Sequence, residues 1–180
     1  LLTLINDLLD VSKLQSGDVM LQKERFDIGT VVSEVQAVMS PVLSSKKQRL
    51  KLVGDLAGEE VVMDRTRIVQ VMMNFISNAH KYSPSGTTIT VECKIVEGNL
   101  DIAVIDQGMG ISETDLARLF TKFFRVDNEA TRSVSGTGLG LAITKEIIEV
   151  HEGTINVAST VGTGTTFSFS IPIDAVATAP

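Results

Sequence analysis

The chain reads as one α/β domain with an N-terminal amphipathic helix as an appendage. Three observations predict this. A length of 180 residues suits a single domain, 43% apolar content is enough to fill a core, and stretches of alternating apolar residues are interleaved with stretches of helical period. The net charge of −6 argues against a nucleic-acid surface, because phosphate backbones are bound mainly through clustered Lys and Arg. Cys93 stands alone and there are only two His, so neither a disulfide framework nor a metal-ligand spacing is on offer. No apolar run approaches the ~18 residues of a membrane helix, and no signal peptide is visible, so a reducing, cytoplasmic setting is expected. Leu1 opens in mid-helix character without Met, as an excised piece of a longer protein would.

At the start, Leu1, Leu4, Leu8 and Val11 fall at a/d spacing, Ile5 and Leu9 widen the stripe, and Gly17 supplies a stop. A lone helix of this length is marginal in water, so the stripe packs either on the domain's own core or in a two-chain bundle. Residues 21–26 read as a short strand. Asp27 can then cap a helix whose Val31, Val35, Val38 and Val42 follow helical period despite Pro41. Residues 50–53 and 61–63 are short strand candidates around a polar turn. Asp64 precedes a helix to about Tyr82, with Ile68, Val71, Met72, Phe75, Ile76 and Ala79 as its buried face. Residues 88–96 and 100–106 form a hairpin around Glu97-Gly98-Asn99. Residues 139–150 are a helix, and residues 154–159 and 165–172 close the domain as a second hairpin around Gly162-Thr163-Gly164. The end of the chain reads as a frayed tail.

On the helix before Tyr82, Asn74 and Asn78 lie one turn apart on one side, and Lys81 adds a cation nearby. An amide oxygen there could bind Mg²⁺, which keeps several waters and shares a substrate's phosphates. Equally, one amide could be a helix-end hydrogen-bonding group. Asp106 ends a strand beside Gly108 and Gly110, where a carboxylate can accept a hydrogen bond from the exocyclic amine of adenine and would repel the guanine carbonyl. The run Gly136-Thr137-Gly138-Leu139-Gly140-Leu141 opens a helix whose backbone N–H groups and aligned dipoles favour anions. It fits neither the P-loop nor the dinucleotide spacing. Between Val126 and Ser135 the chain is polar without periodicity and reads as a lid, which phosphates would order through Arg125 or Arg132.

Taken in order, these segments resemble the catalytic, ATP-binding region of sensor histidine kinases of two-component signalling. Asn74-x-x-x-Asn78-Ala79-x-Lys81-Tyr82-Ser83 is similar to the family's asparagine box, and Asp106-x-Gly108-x-Gly110 to its first glycine box. Phe120-x-x-Phe123-Phe124-Arg125 is similar to the phenylalanine box, and residues 136–141 and 162–165 to the second and third glycine boxes. Leu8-Leu9-Asp10-Val11-Ser12-Lys13-Leu14 resembles the end of the dimerisation hairpin. The resemblance implies a two-layer α/β (α+β) sandwich of Bergerat type, with a mixed five-stranded sheet covered on one face by three helices. It divides the chain into the hairpin's end at 1–17, a catalytic domain at 18–174 and a flexible tail at 175–180.

The same resemblance implies ATP and Mg²⁺ as cofactors, with the γ-phosphoryl passing to a histidine on the dimerisation hairpin of a homodimer and then to a response regulator receiver domain. Whether the parent is anchored in a membrane stays open. Asn78 would hold Mg²⁺, Asn74 and Lys81 the phosphate and metal surroundings, Tyr82 the neighbourhood of the base, and Asp106 the adenine amine. Gly108, Gly110, Gly138 and Gly140 would shape the walls. Ile111, Phe123, Arg125, Thr137, Leu139 and Thr165 complete the candidate nucleotide contacts, although Leu139 and Leu141 read more as core than as ligand contacts. His80 is expected to face solvent or a partner, and His151 to favour a helix C-terminal dipole. Neither is the phosphoacceptor, which this family carries upstream. The rivals are the gyrase- and chaperone-type ATPases and the serine kinases of the same fold family. The ATPases use a Glu as general base where this chain has Asn74.

Overall fold

The computed structural model describes residues 21–54, 56–126 and 136–173. The expected N-terminal helix, the polar segment through Ser135 with Arg132, and the tail from Asp174 lie outside the described residues.

β1 (Glu24–Asp27) leads directly into α1 (Ile28–Ser44). Asp27 makes the transition, its carboxylate accepting the amides of Gly29 at 2.7 Å and Thr30 at 3.3 Å, donors that have no partner inside the helix. The buried stripe of α1 is Ile28, Val31, Val32, Val35, Met39 and Leu43. Two of the valines expected on that stripe, Val38 and Val42, are 59% and 45% exposed. Each precedes a buried residue by one position, which rotates it about 100° round the helix and off the core.

β2 (Arg49–Val53) and β3 (Glu60–Met63) flank the polar turn, yet they belong to different sheets. β3 pairs antiparallel with β1 in a small two-stranded sheet. β2 runs parallel to β4 (Thr88–Val96), which forms a hairpin with β5 (Asn99–Ile105). The tight turn between them places Glu97 and Gly98 at positive φ. α2 (Arg65–Tyr82) begins at Asp64, whose carboxylate accepts the Arg67 amide at 3.1 Å, and its six buried residues are those the sequence predicts. A single turn, α3 (Glu113–Leu116), was not expected; Ser112 caps it. α4 (Gly140–Val150), β6 (Thr154–Thr160) and β7 (Gly164–Pro172) complete the chain.

The main sheet is mixed, in the order β2-β4-β5-β7-β6. Its inner face is apolar: Ile89, Val91 and Cys93 on β4, Leu100, Ile102 and Val104 on β5, Phe167, Phe169 and Ile171 on β7. The outer face of β4 presents Glu92 and Lys94 to solvent, the alternation of a sheet with one wet side. The buried stripes of α1, α2 and α4 join the inner face in one core, with α2 between the other two helices. Phe75 of α2 stacks on Phe167 at 5.2 Å between ring centroids and sits 6.3 Å from Phe169. Burying such a side chain contributes ~1.5–3 kcal/mol, so this contact holds the asparagine-bearing helix against β7. The flank of α2 beside this contact is left for the site.

Candidate functional site

A cavity of about 1140 Å³ opens between α2, the start of α4 and the turn that follows β5. Asn74, Asn78, Lys81 and Tyr82 line it from α2, spaced by one turn or less as the sequence predicts. Asn74 Nδ2 donates to Thr144 Oγ1 at 2.8 Å, and the Thr144 hydroxyl donates to the Gly140 carbonyl at 2.9 Å. A Cβ at Gly140 would lie 2.6 Å from Asn74 Oδ1, so the lack of a side chain lets α4 begin against α2. Among the described residues, the Asn78 side chain has no hydrogen-bond partner.

Asp106 sits at the other end, 7% exposed. Its amide donates to the Thr165 carbonyl at 2.9 Å, and its Oδ1 accepts the amides of Gly108 at 2.7 Å and Thr165 at 3.2 Å. Burial pushes the carboxyl above the ordinary carboxylate range, and the two amides pull the other way. Thr165 also shares a hydroxyl hydrogen bond with Ser159 at 2.9 Å and lines the cavity. Gly110, at φ +72°, comes so near the end of β6 that a Cβ would fall 2.2 Å from the Thr160 carbonyl oxygen. Ile111 lines the cavity, and its amide donates to Ser159 Oγ at 2.9 Å.

At the α4 end, no side chain caps the helix, and Thr137 Oγ1 accepts the Leu139 amide at 3.3 Å. The first-turn amides beyond it have no intrahelical acceptor, and with the aligned peptide dipoles they form an anion-favouring terminus. Thr137, Gly138 and Gly140 line the cavity. Arg125 lines it too, and its Nη1 donates to the Gly136 carbonyl at 3.2 Å.

Three candidate contacts are placed elsewhere. Gly108 lies behind Asp106, lining a smaller cavity of about 350 Å³, because its role is to turn the chain so that its own amide meets Asp106 Oδ1. Phe123 is 62% exposed: its φ of 62° turns the side chain outward while its amide donates to the Gly138 carbonyl at 2.9 Å. From the phenylalanine box, Phe124 lines the cavity instead, with the Arg118 guanidinium 4.7 Å from its ring centroid. Leu139 is fully buried in the core, whereas Leu141, read as core from the sequence, lines the cavity.

The two His also differ from expectation. His80 is half-buried, and its Nδ1 donates to Gln48 Oε1 at 2.7 Å. His151 is 4% exposed; its Nδ1 donates to the Ile147 carbonyl at 2.8 Å and its Nε2 accepts the Asp64 amide at 3.2 Å. It is therefore a neutral link between the end of α4 and the start of α2, and burial holds its pKa below 6.5. Sequence reasoning missed Gln70, Met73 and Ser77, which line the cavity and lie one turn or less from Asn74 on α2. Helical period could have found them. Thr144, one turn after Gly140, was legible only once the two helices were together.

Residues 63–175 match the family described as histidine kinase-, DNA gyrase B-, and HSP90-like ATPase, and the chain belongs to this family. Its relatives place it on the histidine kinase side. The sensor-like histidine kinase SenX3 of Mycolicibacterium smegmatis is 38% identical over 170 residues, covering 94% of this chain and 44% of that protein. Histidine kinase AdeS of Acinetobacter baumannii superposes with a TM-score of 0.78 at 29% identity, over 94% of this chain and 77% of the other. Full-length ShkA, solved with AMPPNP, gives 0.83 at 26% identity, over 96% and 35%. The chain thus spans less than half of the curated relative SenX3. It is an ATP-binding catalytic domain of the sensor histidine kinase kind, and no helix among the described residues is long and apolar enough to cross a membrane.

Proposed function

We propose that this domain transfers the γ-phosphoryl group of Mg²⁺-ATP to a histidine on the dimerisation hairpin of its parent, from which a response regulator receiver domain takes it. The observation that carries this reading is the chemistry of the cavity wall. Among the described residues that line it, Asp106 is the only carboxylate, and it is engaged at the turn after β5 by Gly108 and Thr165. Where the related ATPases have a Glu to take a proton from water, this chain has Asn74, an amide already donating to Thr144. An amide is no base at neutral pH, so hydrolysis lacks a step worth ~10²–10⁴-fold. Transfer to an imidazole, itself a good nucleophile, needs no such base.

In this reading the adenine amine donates to Asp106, with Gly110, Ile111 and Thr165 around the base. The amides at the start of α4, with Thr137, Gly138 and Gly140, hold phosphate oxygens, joined by Lys81 and Arg125. The residues fit Mg²⁺: the Asn78 amide has no other partner, and no group of three or more His, Cys, Asp or Glu among the described residues forms a cage. A metal held by one protein oxygen, substrate phosphates and water is the usual arrangement for Mg²⁺. When bound it neutralises charge on the phosphate oxygens. The contribution of the chain is positioning and electrostatic preorganisation.

The test is to give the domain γ-labelled Mg²⁺-ATP together with the parent's hairpin. Label on the hairpin, lost when its histidine is replaced, is the expected result. Label released only as free phosphate would make the protein an ATPase.

A further inference from the structure

The last turn of α2, which carries Lys81 and Tyr82 into the cavity, is held by residues outside the site. Lys46, in the corner between α1 and β2, sends its ammonium to the carbonyls of His80 at 2.9 Å, Lys81 at 3.1 Å and Ser83 at 3.4 Å. A helix leaves its final carbonyls without internal donors, and an ammonium carries three protons. Gln48, 4% exposed, adds its Nε2 to Ser83 at 3.2 Å and Pro84 at 3.0 Å, and its Oε1 receives the His80 ring N–H. The corner is fixed in turn by the Gly86 amide on the Lys46 carbonyl at 2.9 Å. The Tyr82 carbonyl, which neither side chain reaches, accepts the Met109 amide at 3.4 Å. A Cβ on Gly108 would meet that same carbonyl oxygen at 2.8 Å, so the turn that donates to Asp106 is packed directly on the end of α2.

We propose that Lys46 and Gln48 are positioning residues of the nucleotide site. They touch no ligand; by fixing the end of α2 they set Lys81 and Tyr82 and, through the Tyr82 carbonyl, the Gly108 turn that orients Asp106. The proposal rests on the reading of this cavity as an ATP site.

The experiment compares Lys46→Met, which keeps the stem and removes the ammonium, with Lys46→Cys before and after aminoethylation, which rebuilds an ammonium at the same reach. Cys93 is buried and its thiol is pushed up to about 11, so alkylation is directed to position 46. Binding of AMPPNP with Mg²⁺ is titrated well below each melting midpoint, where every variant is folded. Lys46→Met is expected to raise Kd by about 10-fold, the low end of what supporting partners of a site contribute. Aminoethylation should restore it, and the nucleotide-free amide resonances of Lys81, Tyr82 and Gly108 should shift and return in parallel. An unchanged Kd with only a lowered melting midpoint would overturn the proposal and leave Lys46 a structural cap. If Lys46→Met does not fold, Gln48→Leu carries the same two-way test. Failure of the unmodified protein to bind AMPPNP would defeat the ATP reading instead, while the amide shifts would still decide the clamp.

Discussion

Asp106 shows what one residue can carry. Its Oδ1 is occupied by two backbone amides, so the side chain is fixed at the wall of the cavity and has a second oxygen for a ligand donor. A hydrogen bond to a charged group is worth ~1.5–3 kcal/mol. Asp106→Asn should therefore weaken ATP by about 10- to 100-fold and erase its preference over GTP, read by parallel titrations; unchanged binding would remove Asp106 from the site. Its place at the cavity wall was legible because a carboxylate at a strand end followed by two closely spaced glycines is chemically unusual. Gly108 and Phe123 were not, because their roles depend on which way a local turn points a Cβ or a ring.

Between elements, the buried His151 ties the end of α4 to the start of α2. Its pKa is lowered in the folded state by burial, so the unfolded chain takes up a proton first as pH falls. Its stabilisation is complete above about 6.5 and is lost as pH drops through that value towards the folded pKa. His80, also lowered by burial and by Lys46 and Lys81, adds a dependence of the same sign. Thermal midpoints should be flat above this range and decline below it, and His151→Gln, neutral throughout, should make the decline shallower. A decline of equal slope in that variant would assign the effect to other groups. The sequence located this His at a helix end but suggested a cation favouring the dipole; a burial of this depth reverses the charge state.

For the molecule as a whole, the proposed function puts the division between transfer and hydrolysis at position 74. Asn74→Glu places a carboxylate where the related ATPases have their base. Phosphate release should rise towards the ~10²–10⁴-fold that a positioned base supplies, measured on the domain without its hairpin. The gain is limited by Thr144, whose hydroxyl proton is committed to Gly140 and which offers position 74 only a lone pair. No rise at all would mean that water cannot reach the phosphate from this side.

The sequence by itself determined α2 with its whole buried face, both hairpins of the main sheet, and the order of motifs that marks a nucleotide site. These are local properties: a period of two or of 3.6 residues records which face of an element is buried, and a motif records side chains that one element holds close together. Only the tertiary structure decided the rest. Whether β2 and β3 pair with each other or with β4 and β1 is a competition among backbone edges far apart in the chain, on which local periodicity is silent. The rotation of α1 that leaves Val38 and Val42 exposed is set by its neighbours, and the Lys46–Gln48 clamp joins residues more than thirty positions apart. An unpaired carbonyl at a helix end is predictable from sequence, but which side chain reaches it is settled only when the chain is folded.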